Sequence, residues 1–232
     1  SGTIQGLALN SQAMKTYTVT LYPGENRKSG APFTFDLIVK PELKYSGIDT
    51  AAIAAFHNAS LEPLQPFLNY GRFGNKNDYT LADASWEIYP DLPEGLSISS
   101  SGIITGTPLI SSSMTTYTVK TVVKPEWNSE EIALEIVFSM VSYPSLNYDI
   151  AKVLFFNIFQ PLSSSYSPEL NYGSKDAEQF LPKLSSFKAS SLPDGMSIDL
   201  SSGVISGVPK KAVYNMKIQI ESIVPFDKGS TT

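Results

Sequence analysis

The segment Leu92-Pro93-Glu94-Gly95-Leu96-Ser97-Ile98, closed by Ser101-Gly102-Ile103-Ile104-Thr105-Gly106-Thr107-Pro108, constrains this chain more than any other, because the chain carries it again. It returns as Leu192-Pro193-Asp194-Gly195-Met196-Ser197-Ile198 and then Ser202-Gly203-Val204-Ile205-Ser206-Gly207-Val208-Pro209. Its second half also opens the chain, as Ser1-Gly2-Thr3-Ile4-Gln5-Gly6. The matching glycines Gly2, Gly102 and Gly203 are spaced by about 100 positions. A period of that size is the length of a domain, so the pattern implies tandem domains and not a solenoid of small units.

The repeat is wider than this motif. Thr16-Tyr17-Thr18-Val19 recurs as Thr116-Tyr117-Thr118-Val119, and more loosely as Val213-Tyr214-Asn215-Met216. Leu68-Asn69-Tyr70-Gly71 recurs as Leu170-Asn171-Tyr172-Gly173. Phe33-Thr34-Phe35-Asp36-Leu37-Ile38-Val39 aligns with Ile132-Ala133-Leu134-Glu135-Ile136-Val137-Phe138. The expected division is residues 1–39 as the C-terminal strands of a preceding repeat, 40–140 as a complete repeat, and 141–232 as a repeat lacking its last strand. That phasing reads as an excerpt from a longer protein. An incomplete sandwich leaves an unpaired strand edge, so the missing strands are expected from adjoining sequence or, as the alternative, by homotypic strand addition from another chain.

Hydrophobic residues alternate at period two along several stretches, the pattern of half-buried strands. Tyr17, Val19 and Leu21 share one face, with Thr16, Thr18 and Thr20 on the other. Tyr117 and Val119 repeat that face, and Tyr214, Met216, Ile218 and Ile220 show it most cleanly. Phe33, Phe35 and Leu37 alternate with Thr34 and Asp36; Leu134, Ile136 and Phe138 alternate with Glu135; Trp86 and Ile88 flank Glu87. The alternation predicts that Trp86, Leu96, Ile98, Ile104, Tyr117 and Val119 share one core. Residues 49–59 and their counterparts 149–156 are expected to be strands, with a helical turn as the alternative in the Ala-rich first copy. The fold class is therefore all-β, with tandem sandwich repeats.

The motif's residue types have geometric reasons. Pro93 fixes φ and donates no hydrogen bond, so it ends a strand. Gly95 permits a sharp reversal, and Gly102 suits the left-handed position of a short hairpin. Gly106 suits a bulge or a close backbone approach, and Pro108 stops the strand. None of this is catalytic chemistry.

Composition narrows the function classes. The net charge of −5 disfavours nucleic acid, which needs a basic face. The chain has no cysteine, which removes thiolate chemistry and Cys-ligated zinc. Units of this length can bury a sufficient core without disulfides. No apolar run approaches the roughly 20 residues of a membrane-spanning helix.

The pattern L-P-x-G-L-x-I, a Ser-rich turn, G-x-I-x-G-x-P and a later Y-x-V strand resembles the putative-Ig family, the cadherin-like, dystroglycan-type β-sandwich repeats of large surface proteins. The resemblance covers nearly the whole chain. The third copy departs mildly, with Met196 for Leu and Val208 for Thr before Pro209. The resemblance implies an Ig-like, extracellular or cell-surface protein used as a stalk or adhesion array, and no enzyme. Its expected partners are other repeats of the same protein, with another surface protein or a carbohydrate as further candidates. Two alternatives stand: a non-catalytic, carbohydrate-associated module of a secreted enzyme, and a subunit of a surface layer or extracellular filament.

Candidate sites are few. His57 is the sole histidine and lies near no nucleophile motif. No cofactor is expected. Cadherin-like repeats suggest calcium, yet the linkers Val39-Lys40-Pro41-Glu42-Leu43 and Met140-Val141-Ser142-Tyr143-Pro144 carry no acidic cluster, and Asp78, Asp83, Asp91 and Glu94 are scattered. Trp127 sits in an expected loop, either as a contact residue or folded back onto its own domain. Tyr70 and Tyr172, within their Asn-Tyr-Gly segments, are either sugar-facing or packed in a structured turn. Asn58-Ala59-Ser60 fits the glycosylation sequon.

Overall fold

The structure, a computed structural model, describes residues 3–21, 30, 32–48, 52–81, 84–125, 127, 130–148, 154–162, 166–174 and 186–223. Every regular element among them is a strand. The first two, β1 (Gln12–Val19) and β2 (Phe33–Val39), form an antiparallel pair in which Tyr17 stacks on Phe35 at 5.8 Å. Next come β3 (Glu42–Tyr45), β4 (Ile53–Phe56), β5 (Leu61–Leu64), β6 (Pro66–Asn69), β7 (Ser85–Tyr89), β8 (Leu96–Ile98), β9 (Ile104–Gly106), β10 (Ser112–Val123) and β11 (Ile132–Tyr143). The rest are β12 (Ser145–Tyr148), β13 (Pro168–Asn171), β14 (Ser186–Ala189), β15 (Met196–Ile198), β16 (Ile205–Gly207) and β17 (Ile220–Ile223).

One sandwich is the most complete. A sheet of order β4-β11-β10-β7 faces a sheet of order β5-β9-β8, and β3 pairs with β6 beside them. All neighbours are antiparallel except β4 and β11, which run parallel. The alternation explains the packing: Tyr117, Val119, Thr121 and Val123 of β10 turn inward, while Thr116 and Lys120 turn to solvent. Tyr117, Val119, Leu96 and Ile104 join Tyr45, Ala55, Leu61, Leu64, Phe138 and Met140 in one buried cluster, with Trp86 and Ile98 packed against it, as the sequence predicts. Burial of a side chain such as Ile104, which has no exposed surface, stabilises the fold by about 1.5–3 kcal/mol. A second cluster gathers Leu43, Tyr79, Val123, Ile132 and Leu134, and Trp86 touches both.

The β8–β9 hairpin closes as its residues dictate. Ser99 N–H donates to the Ile103 carbonyl at 2.9 Å, and Gly102 takes φ +79°. A Cβ at Gly102 would also strike the Trp86 ring, so this glycine answers a packing need as well as a turn. Gly106, at φ +132°, lies against the Gly95 carbonyl, the close approach its position implies.

The register corrects two of the repeat correspondences. Tyr17 faces Phe35 whereas Tyr117 faces Phe138, so Phe35 matches Phe138 and Phe33 matches Ile136; the alignment of Phe33–Val39 with residues 132–138 is out by four. In the third unit Phe187 faces Ser222 as Trp86 faces Thr121, so Ile218, not Tyr214, stands where Tyr117 does. A slip of four leaves period-two alternation unchanged, so the pattern alone cannot detect it. The clean alternation from Tyr214 accordingly fails as a buried strand: β17 begins only at Ile220, and Tyr214 is 91% exposed. Among the described residues no strand pairs with residues 212–218; the pairing with β14 starts at Gln219, whose carbonyl accepts from Ser190 N–H. Of the strand expected over residues 49–59, Ile53–Phe56 form β4, and residues 57–59 turn away from it. Of its expected counterpart, residues 154–156 are irregular, and residues 149–153, like 49–51, lie outside those described.

Candidate functional site: the inter-repeat joint

The strand pairs β3–β6 and β12–β13 have the same register. Glu42, Leu43, Lys44 and Tyr45 face Asn69, Leu68, Phe67 and Pro66, just as Ser145, Leu146, Asn147 and Tyr148 face Asn171, Leu170, Glu169 and Pro168. Each pair delivers an Asn-Tyr-Gly turn at its end. Asn69 Oδ1 accepts from Gly71 N–H at 3.1 Å and Asn171 Oδ1 from Gly173 N–H at 2.9 Å, a local side-chain closure that asparagine favours. The glycines adopt φ +75° and +76°. The turn thereby points the tyrosine carbonyl outward.

That carbonyl meets the exit segment of the unit before. Ser11 N–H donates to the Tyr70 carbonyl and Ser111 N–H to the Tyr172 carbonyl, each at 2.8 Å. A Cβ on Gly71 would run into the Leu9 carbonyl, and one on Gly173 into the Leu109 carbonyl. Glycine is therefore required twice over, by its backbone angle and by backbone crossing at contact distance. The first joint adds Phe73 N–H to Asn10 Oδ1 at 2.8 Å. The second adds His57, buried at the end of β4, whose Nδ1 lies 3.0 Å from Ser145 Oγ at the start of β12.

Tyr70 and Tyr172 thus stand in the joints. Tyr70 is half-buried and its hydroxyl donates to the Tyr79 carbonyl at 2.9 Å; burial raises its pKa, with the Asp78 charge adding to the effect. Tyr172 is half-buried as well. Trp127 folds back onto its own unit, with its ring edge-on to Tyr79 at 6.1 Å. Asn58 is exposed with φ +59°, its N–H donating to the Pro108 carbonyl. Among the described residues no carboxylate is bonded to the second ring nitrogen of His57, the place an orienting acid takes in a nucleophilic triad. No group of three His, Asp or Glu could share a metal ion among the described residues. Asp78 accepts from Asn75 Nδ2 at 2.7 Å, and Asp83 lies outside those residues.

The sequence reading missed Tyr45 and Tyr148. Each sits at the end of the first strand of its unit, and each hydroxyl donates to the carbonyl of the hairpin glycine, Gly102 or Gly203, at 2.7 Å. Burial pushes the Tyr45 hydroxyl pKa far up, so it remains a donor at any physiological pH. The signal was present as Pro41-Glu42-Leu43-Lys44-Tyr45 against Pro144-Ser145-Leu146-Asn147-Tyr148.

The family described as Putative Ig domain matches the chain twice, over residues 48–137 and 156–222. No curated protein matches it. Among solved structures it is similar to extracellular domains 3–5 of Drosophila OTK, at 10% identity and TM-score 0.35, covering 86% of this chain and 67% of that one. It is also similar to domains 4 and 5 of the S-layer protein SbsC, at 16% identity and TM-score 0.31, covering 79% and 94%. For Drosophila N-cadherin EC1-4 the identity is 11% and the TM-score 0.28, with 85% of this chain covered but only 49% of that one. At these scores the likeness adds nothing to what the strands already show. No helix among the described residues is long and apolar enough to cross a membrane.

Proposed function

We propose that this chain, which belongs to the Putative Ig domain family, serves as a length of jointed array in a secreted or cell-surface protein, holding space or presenting adhesive units and not catalysing a reaction. The observation that carries this reading is the repeated joint: two Asn-Tyr-Gly turns, each seated on the preceding exit segment through the same 2.8 Å bond. Units that merely follow one another along a chain need no such contact. A backbone bond backed by a glycine-only approach restricts how one unit can swing on the next, which suits a spacer. The division near residues 40 and 140, and other repeats of the same protein as partners, belong to this reading; the two separate family matches support it.

The test is Gly173→Val in the full chain, because a side chain there collides with the Leu109 backbone. Exchange of the Ser111 amide is expected to quicken by roughly ten-fold or more, with a broader spread of lengths in small-angle X-ray scattering, while the Val119 amide keeps its protection. Unchanged exchange at Ser111 would show that the joint does not hold the units, and would sink the reading.

A further inference from the structure

The exit segment of a unit occurs three times, at residues 6–11, 106–111 and 207–212. Two of the three hold an Asn-Tyr-Gly turn. The third has the same backbone. Gly207 takes φ +126°, beside +146° at Gly6 and +132° at Gly106. Val208 N–H donates to the Gly195 carbonyl at 3.0 Å, as Thr107 does to Gly95, and Lys210 N–H to the Asp194 carbonyl at 2.8 Å, as Leu109 does to Glu94. Ala212 then stands where Ser11 and Ser111 stand. It is exposed, and among the described residues no turn lies on it.

We propose that residues 207–212 are a receptor for the Asn-Tyr-Gly turn of a further repeat of this kind. The two occupied seats define the occupant and what recognises it. Gly173 approaches the Leu109 carbonyl and the Ile110 Cα, and the bond comes from the Ser111 amide. In this second seat all of these are backbone atoms; the first seat adds two side-chain bonds, from the Ser11 hydroxyl to the Tyr70 carbonyl at 3.3 Å and from Phe73 N–H to Asn10 Oδ1. Replacing Leu109-Ile110-Ser111 by Lys210-Lys211-Ala212 therefore keeps every backbone group that the second seat uses, and forgoes the side-chain bonds of Asn10 and Ser11 in the first. The Ser111 hydroxyl has no hydrogen-bond partner among the described residues, so alanine at this position forfeits no hydrogen bond seen in the second joint. The amide of Ala212 presents one donor to solvent, and an outward tyrosine carbonyl with a left-handed glycine after it is the complementary shape.

This inference rests on the jointed-array reading and deepens it, so its experiment must separate the two. A chain lengthened after Ile223 by a second copy of residues 123–223 keeps the repeat in phase and places a new Asn-Tyr-Gly turn within reach of Ala212. The comparison is the same lengthened chain with Asn171→Ala and Gly173→Val in the added copy only. The Ala212 amide is expected to exchange roughly ten-fold or more slowly when the added turn is intact. Asn171→Ala alone in the added copy, which keeps the glycine, should give a smaller change in the same direction. Equal exchange at Ala212 in all three chains overturns the receptor. If the Ser111 amide is slow in that case, only the receptor fails; if it is fast too, the jointed array fails with it.

Discussion

Ile104 has no exposed surface, and its neighbours come from both sheets. Ile104→Ala is therefore expected to destabilise the chain by about 2–5 kcal/mol, the sum of lost burial and an unfilled cavity, read from the shift in urea midpoint of the unit around residues 42–143. A loss below about 0.5 kcal/mol would mean the position collapses freely or is not core. Asp199 acts at the surface instead. Its Oδ1 accepts from the Ser201 hydroxyl, the Ser202 amide, the Ser202 hydroxyl and the Ser201 amide, and these bonds lower its pKa well below 3.8. A depressed folded pKa means the turn gains order from the charge above the ordinary carboxylate value and loses it as pH falls through the folded one. Protection of the Ser201 and Ser202 amides should hold from neutrality to about pH 4 and fall only in stronger acid. In Asp199→Asn that acid step should vanish; if the step stays, another group causes it.

Strands show where a sequence speaks and where it falls silent. The faces of β10 and β11 were legible, because a strand with one buried side must alternate, and Tyr117, Val119 and Phe138 do so. The glycines of the hairpin were legible too, since few residues tolerate φ near +79°. Register was not, because a slip of four preserves the faces, and only the pairing of Tyr117 with Phe138 decides it. The joint was half legible. Its two Asn-Tyr-Gly segments stood out as a repeat, but their partner is a backbone amide on the unit before, and an amide has no letter in the sequence. The stretch around Tyr214 makes the same point: alternation gives a face, and a face is buried only when another strand covers it. Amides from Tyr214 to Ile218 should thus exchange at least roughly a hundred-fold faster than those from Tyr117 to Val123 under native conditions. Comparable protection in the two segments would show that residues 214–218 are covered after all.

At the scale of the whole molecule, no group of three His, Asp or Glu that could hold a metal ion occurs among the described residues, whereas a calcium site needs six or more oxygens. Melting is expected to be unchanged, within about 1 °C, between millimolar calcium and excess chelator; a rise of many degrees with calcium would reveal a site built from residues outside those described. Stiffness would then come from backbone contacts in place of ions. The parallel pairing of β4 with β11 has a mechanical consequence. Ile53, Ala54, Ala55 and Phe56 lie beside Met140, Val141, Ser142 and Tyr143, in the first half and at the very end of one sandwich. Tension along the chain enters near the start of one strand and leaves from the end of the other, which in a parallel pair lie at opposite ends. The hydrogen bonds between them are then sheared together, not unzipped one at a time. Ala54→Pro, which removes an N–H from this short ladder, should lower the single-molecule unfolding force of that sandwich, and an unchanged force would place the resistance elsewhere. A surface array built from such units would yield to pulling one sandwich at a time, each holding until its clamp of four residues slides.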